Sequence, residues 1–347
     1  GFGFLFGMMG TDLLDGQSVD WIGLGYAVLA ALLGGVVTAM VVGGVLPVLE
    51  SVFRITTDIS WIELADLNNP LLRRMTLEAP GSYHHSLLVA NLAESAAEAI
   101  GANATMCRVC SYFHDIGKLA KPSYFIENLG EADNPHDDLT PTMSALVITA
   151  HVKEGVDIAL NHKLNSRIID VIEQHHGTSL VYFFYRKAIE QEKEARERQE
   201  EGELNEDDIP EISRESFRYP GPKPQFKESG IISLADAVES ASRTLQKPTP
   251  GKITQLIEDI VNSRILDGQL SDCDLTLREI KVVSESFNSN LRSMLHSRIT
   301  YPKDNKDTER NGKGKLTDAG KNSGNGKKTP RNDLQAGNSR KADVLLP

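Results

Sequence analysis

Cysteine is scarce, with three in 347 residues, which excludes a small secreted fold held by disulfides. A basic excess is missing as well. Lys and Arg number 37 against 48 Asp and Glu, a net charge of −11. The chain therefore lacks the electrostatic footprint of a protein that binds nucleic-acid polymers. The deficit is uneven, because residues 301–347 carry 11 Lys/Arg and 6 Asp/Glu, leaving 26 and 42 in residues 1–300. Between Trp21 and Leu49 charge is absent altogether. No internal repeat is evident, and the length leaves room for one large domain or two small ones.

The uncharged run WIGLGYAVLAALLGGVVTAMVVGGVLPVL at 21–49 reads as a transmembrane helix. A bilayer core of ~30 Å needs about 20 helical residues, and this run exceeds that. It is too long for a buried core helix. A signal peptide fits poorly, since neither a basic n-region nor a short h-region is present. Upstream, the apolar residues 1–10 read as the end of a preceding span, and a chain opening on Gly reads as a fragment of a longer one. Asp12, Asp15 and Asp20 lie on one side of the span, and Arg54, Arg73 and Arg74 on the other. The positive-inside tendency then places everything after Leu49 in the cytoplasm.

Residues 50–68 form a juxtamembrane linker, and 69–300 show mostly helical periodicity, which predicts an all-α domain. Helices are expected from Pro80 to a stop at Gly101, through TMCRVCSYFHDIG to Gly117, and at 141–161, 165–176, 180–200, 227–247, 249–264 and 275–297. The stretch 123–140 reads as loop from its Asn, Asp, Gly and Pro content, and RYPGPKP at 218–224 as a rigid turn. Residues 190–217 form a charged insertion in which Glu192–Arg196 and Glu194–Arg198 are spaced for i,i+4 pairing. The Lys/Asn/Gly-rich tail at 301–347 has too little apolar surface to fold and is expected to be disordered.

Nine histidines carry the chemical signal. His114-Asp115 close an apolar helix, His175-His176 close another, His84-His85 lie near a helix start, and His151 sits in ITAHVKEG. A single inward histidine is usually a satisfied core residue, but four such sites on successive helices point to a divalent-metal centre. An aspartate beside a histidine can bridge two ions, and paired ions can clamp a phosphoryl group and activate a bridging water. Asp236, in the apolar helix SGIISLADAVESAS, is the acidic candidate from a distant helix, because a buried charge there needs a partner or an ion. His85 is preferred over His84, since consecutive helical residues diverge by ~100° and His85 shares a face with Leu88, Leu92 and Ala96.

These motifs resemble the HD-domain metal phosphohydrolases. More narrowly, NPLLRRMTLEAPGSYHHSLLVANLAE (69–94), YFHDIGKLAKPSYFIENL (112–129), VIEQHHGTSLVYFFY (171–185), RYPGPKPQFKE (218–228) and LADAVESASR (234–243) resemble the seven-transmembrane-receptor HD family, the PgpH-type cyclic-di-AMP phosphodiesterases. The resemblance implies an HD-type helical bundle below a membrane span and two divalent ions, Mn²⁺ or Fe²⁺. It assigns His85, His114, Asp115 and Asp236 to one ion, and Asp115 (bridging), His151, His175 and His176 to the other. It further implies hydrolysis of cyclic di-AMP to linear pApA in a multi-pass protein of the cell membrane, as a possible homodimer.

Lys118 is a candidate to meet a substrate phosphate, with a surface lysine as its alternative; Tyr124 and Phe125 are candidates to stack on a base, and His136 to line the site from a loop. Cys107 and Cys110 have CxxC spacing without a second pair and read as core residues. Two rival functions fit the same residues. One keeps the chemistry and changes the nucleotide to cyclic di-GMP, (p)ppGpp or a nucleoside triphosphate; the absence of a GYP motif after His175-His176 counts against the first of these. The other is a nucleotide-sensing module without turnover, against which the intact set of ligands weighs.

Overall fold

The structure is a computed structural model. It describes residues 21–53, 58–130, 132–203, 205, 209, 211–245 and 248–296. The expected span end at 1–10, Arg54 and the tail at 301–347 lie outside the described residues. The chain divides into two units, Gly1–Asp66 and Leu67–Pro347.

The first unit holds helices α1 (Trp21–Phe53) and α2 (Asp58–Leu64). Its 26-residue stretch Trp21–Leu46 is long and apolar enough to cross a membrane and none of it is buried. At 1.5 Å per residue it reaches about 39 Å, so it is compatible with a membrane anchor.

The second unit is helical, and no strand occurs among the described residues, only an isolated bridge between Leu180 and Arg218. Helices α3 (Pro70–Glu78) and α4 (Pro80–Ile100) both start on a proline, whose fixed φ and missing N–H suit the first helical position. Side chains of Asn69, Asn103, Thr140, Asn165 and Thr249 cap the starts of α3, α5 (Ala104–Phe113), α7 (Pro141–Asn161), α8 (Ser166–Gln174) and α11 (Pro250–Leu266), each accepting a hydrogen bond from a first-turn N–H. The short α6 (Ile126–Leu129) lies in the loop region before α7. The remaining helices are α9 (Tyr182–Glu200), α10 (Lys227–Ser242) and α12 (Leu277–His296). Helix α4 is the hub, packing against α5, α10 and α12 through small residues such as Ala90, Ala93, Ala96 and Ala97, all fully buried.

The structure departs from the sequence expectation in three places, the first of them at the site. The helix expected to run to Gly117 is α-helical only to Phe113 and continues as a 3₁₀ turn, Ile116–Ala120. Gly117 explains the change of path. A Cβ there would stand 1.8 Å from the His151 carbonyl oxygen and 2.5 Å from the Gly155 nitrogen, so the turn lies directly on the α7 backbone. Second, the loop at 123–140 contains α6 and two 3₁₀ turns instead of irregular chain alone. Third, Arg196 pairs with Glu192 at 2.6 Å as expected, whereas Arg198 turns to Glu203 at 3.1 Å in the turn beyond the end of α9. Cys107 and Cys110 are fully buried, and burial pushes both thiols up, as core residues require.

Candidate metal centre

Five elements deliver seven side chains to one buried place. His85 projects from the first turns of α4 on the face of Val89, Leu92 and Ala96, while His84 is exposed. His114 and Asp115 sit where α5 gives way to the 3₁₀ turn, so two neighbouring residues can both face inward. His151 lies in mid-α7. His175 and His176 follow the last residue of α8, and the chain leaves through Gly177 at φ 54°, a left-handed turn that glycine adopts without strain. Asp236 comes from the middle of α10.

The two oxygens of Asp115 face different histidines. Oδ2 lies 3.4 Å from His114 Nε2 and 3.6 Å from His85 Nε2, while Oδ1 lies 3.5 Å from His151 Nε2 and 3.8 Å from His175 Nε2. Asp236 closes the ring, with Oδ1 2.9 Å from His85 Nε2 and 3.9 Å from His114 Nε2, and Oδ2 3.5 Å from His176 Nδ1. Three sets have converging ligand atoms: His85 with His114 and Asp115, His114 with His175 and Asp236, and His151 with His175 and His176.

The other ring nitrogens are fixed from behind. Nδ1 of His114, His151 and His175 donates to the carbonyl oxygen three residues earlier, at 2.7, 2.6 and 2.8 Å on Ser111, Ile148 and Ile172. Each bond selects the tautomer whose Nε2 lone pair points into the cluster, the form a metal ligand needs. His85 Nδ1 meets the Glu239 carboxylate, which Arg243 braces from one turn further along α10. The His176 ring stacks on Tyr219 with centroids 4.2 Å apart.

Burial and neighbouring charges shape the protonation states. Burial lowers His175 to about 3, helped by His114 and His151, and it holds His176 and His151 below their ordinary value too. Burial works against the charged Asp115 and Asp236, but Lys118 and the imidazoles around Asp115, and His85 and His176 around Asp236, outweigh it and hold both carboxyls well below the usual range. His85 is likewise desolvated, yet Asp236 and Glu239 raise it to about 9. Neutral imidazoles and ionised carboxylates are the forms that bind divalent ions. His114 Nε2 and both oxygens of Asp115 are buried without a hydrogen-bond partner among the described residues. Orphaned acceptors in such a nitrogen and oxygen donor set fit a transition-metal ion.

Lys118 stands at the edge of the cluster. Its Nζ lies 2.8 Å from Asp115 Oδ2, out of line for a hydrogen bond, and donates to Glu127 Oε1 at 2.7 Å. Glu127 also accepts from Ser82 Oγ at 2.9 Å, which ties the turn to α4. Tyr124 and His136 meet each other: the His136 ring sits 5.4 Å from the Tyr124 ring, its Nε2 lies 2.9 Å from the Tyr124 carbonyl oxygen, and its other face packs on Phe184. Of the loop aromatics, Phe125 is the one against the cluster, edge-on to His151 at 5.7 Å.

Sequence reasoning missed Glu239 and Tyr219. Glu239 had a legible signal, since it lies three residues after Asp236 on an apolar helix and so shares its face. Tyr219 lay in a segment read only as a turn.

Comparison with known proteins identifies the family. The HD domain pattern matches residues 82–241. The chain is 41% identical over 290 residues to the cyclic-di-AMP phosphodiesterase PgpH of Bacillus subtilis (strain 168), covering 84% of this chain and 38% of that protein. It is 42% identical over 281 residues to PgpH of Listeria monocytogenes, covering 81% and 36%. The chain thus spans under two-fifths of the length of these curated relatives. The crystal structure of the L. monocytogenes PgpH HD domain superposes with a TM-score of 0.59 at 42% identity, covering 66% of this chain and 100% of that domain. Its complex with cyclic-di-AMP superposes equally well. With helices, cluster and similarity in agreement, the chain belongs to the HD-domain family, among the PgpH-type HD domains.

Proposed function

We propose that this chain is the membrane-tethered catalytic portion of a cyclic-di-AMP phosphodiesterase that opens the cyclic dinucleotide to linear pApA. The observation that carries the reading is the divided Asp115 carboxylate, with His85 and His114 at one oxygen and His151 and His175 at the other. In this reading His85, His114, Asp115 and Asp236 hold one divalent ion, and Asp115, His151, His175 and His176 hold a second, Mn²⁺ or Fe²⁺ in either place. When bound, such ions supply Lewis acidity to a phosphoryl oxygen and lower the pKa of a water.

The chain's own residues prepare that chemistry. Backbone acceptors at Ser111, Ile148 and Ile172 fix three imidazoles in the ligating tautomer, so those three need no reorientation on loading, while His85, raised to about 9, would give up a proton. Lys118 offsets the negative charge of Asp115 and Glu127, keeping both ionised in a buried place. Phe125 and Tyr219 line the histidines with apolar surface that excludes water. Upstream, α1 is proposed to anchor the domain on the cytoplasmic side of a cell membrane within a multi-pass protein, as the acidic and basic flanks of the span suggest.

The test is Asp115→Ala in the full chain. The reading expects hydrolysis of cyclic di-AMP to vanish and the metal bound per chain to fall. Full activity in that variant contradicts a bridging role.

A further inference from the structure

Arg264 is a buried cation that the metal centre leaves unexplained. It closes the inward stripe of α11, following Ile253, Leu256, Ile257, Ile260 and Val261 at helical spacing. Only 7% of the residue is exposed. Among the described residues, no hydrogen bond or ion pair engages its guanidinium. A basic residue in a last turn ordinarily answers the helix dipole from the surface. That does not account for one buried with its donors free.

The surroundings give the direction. Beyond Arg264, α11 docks on the turn that follows His175-His176: Thr178 N donates to Gln269 Oε1 at 2.9 Å, and a Cβ on Gly177 would stand 2.5 Å from that same oxygen. Arg218 joins this contact, donating to the Thr178 carbonyl oxygen at 2.7 Å and to both oxygens of Asp267 at 2.9 and 3.0 Å. The segment just after α11 is thereby held against Thr178 and Arg218, close in sequence to His176 and Tyr219, and the Arg264 charge acts on Tyr219 and Asp236. Nearby carboxylates are otherwise engaged. Asp236 faces His85 and His176, and Asp267 holds Arg218 and Gln269. Lys118 is no substitute, because Asp115 and Glu127 already pair with it.

We propose that Arg264 anchors the phosphate of the substrate that is not being cleaved, gripping its non-bridging oxygens from the α11 side of the histidine cluster. The inference rests on the cyclic-dinucleotide reading above. Such a ring carries two phosphates; one meets the His/Asp cluster, and the other carries a charge that a cation on the protein can offset. A planar guanidinium with five donors matches phosphate oxygens better than an ammonium does.

The experiment uses the full chain in detergent, loaded with Mn²⁺, as parent, Arg264→Gln and Arg264→Lys. Arg264→Gln is expected to raise KM for cyclic di-AMP by about 10- to 100-fold, the range for losing a hydrogen bond to a charged group, with a much smaller change in kcat. Metal per chain stays at the parental value, and Arg264→Lys restores part of the loss. For bis(p-nitrophenyl) phosphate, which has a single phosphate, the rise in KM is expected to be much smaller. Calorimetric titration of cyclic di-AMP into the metal-free chain reads the same weakening without turnover. If Arg264→Gln does not fold, Arg264→Lys decides: a KM rise for cyclic di-AMP greater than for the single phosphate supports the anchor, and equal rises overturn it. An unaltered KM for cyclic di-AMP, or an equal loss on both substrates with reduced metal, also overturns it. A parent chain that hydrolyses bis(p-nitrophenyl) phosphate but no cyclic dinucleotide places the failure in the substrate reading, and the anchor falls with it.

Discussion

Glu239 and His85 meet in the core between α10 and α4, the carboxylate against Nδ1 of the imidazole and Arg243 against the carboxylate. The contact fixes the His85 ring so that Nε2 faces Asp115 and Asp236. It also gives this histidine a different rear support from His114, His151 and His175, which lean on backbone carbonyls that no mutation can delete. Of these four imidazoles, His85 is therefore the one whose orientation can be tested by a side-chain substitution.

Glu239→Ala should weaken Mn²⁺ binding by about 10- to 100-fold, the usual effect of removing a carboxylate behind a ligating histidine. Glu239→Gln, which keeps an acceptor, should lose less. Calorimetric titration of Mn²⁺ into the metal-free proteins measures both. An affinity equal to the parent would mean that packing alone orients His85.

Gly117→Ala should destabilise the domain by about 2–3 kcal/mol or more, because the new methyl group would overlap the α7 backbone. The atoms it would meet are the His151 carbonyl oxygen and the Gly155 amide nitrogen, neither able to swing away as a long side chain would. Gly101→Ala is the control. Its surroundings are open, and only its φ of 71° resists a side chain, which should cost about 1 kcal/mol. Urea unfolding midpoints of the two variants should separate accordingly.

The Arg218–Asp267 pair predicts a pH-dependent contribution to stability. Arg218 holds the Asp267 carboxyl below its ordinary value. A carboxyl lowered on folding stabilises fully above its unfolded pKa of about 3.9, and that stability is lost as pH falls through the lower folded value. The side chains are 17% and 30% exposed, so solvent screens the pair and the effect at pH 7 should be about 1 kcal/mol. Asp267→Asn should therefore melt earlier than the parent at pH 7, and the difference should close near pH 2. A difference of the same size at both ends would assign the loss to the hydrogen bonds of Gln269 instead of to charge.

Chelation should lower the melting temperature of the parent and Mn²⁺ should restore it, since an ion that binds only the folded state stabilises it by about 2.7 kcal/mol at 100 times its dissociation constant. Asp115→Asn should blunt the response. Equal melting with and without Mn²⁺ would count against a preformed centre.

Much of this was legible in the sequence because each signal was local. Proline and glycine marked the ends of α4, and an aspartate in an apolar helix marked Asp236. The pairs His114-Asp115 and His175-His176 marked helix ends. What escaped depended on chain segments distant in sequence. Glu239 acquires its role only when α10 packs on α4, and Tyr219 only when the Arg218–Asp267 pair pins its turn beside His176. The 3₁₀ path after Phe113 follows from a contact between Gly117 and the backbone of a helix more than thirty residues away, which no local propensity encodes. The place of Lys118 after Gly117 makes it a candidate for a phosphate or a surface lysine, and its pairing with Glu127 depends on the fold of the loop that follows.

The central claim is the reaction, and the most direct test is turnover by the full chain loaded with Mn²⁺ and given cyclic di-AMP, cyclic di-GMP or a nucleoside triphosphate separately. Products are resolved by chromatography. The account predicts that cyclic di-AMP is converted to pApA in preference to the other two, and that Asp115→Ala abolishes the conversion. A chain carrying two ions that leaves cyclic di-AMP intact, or that cleaves all three alike, would contradict it.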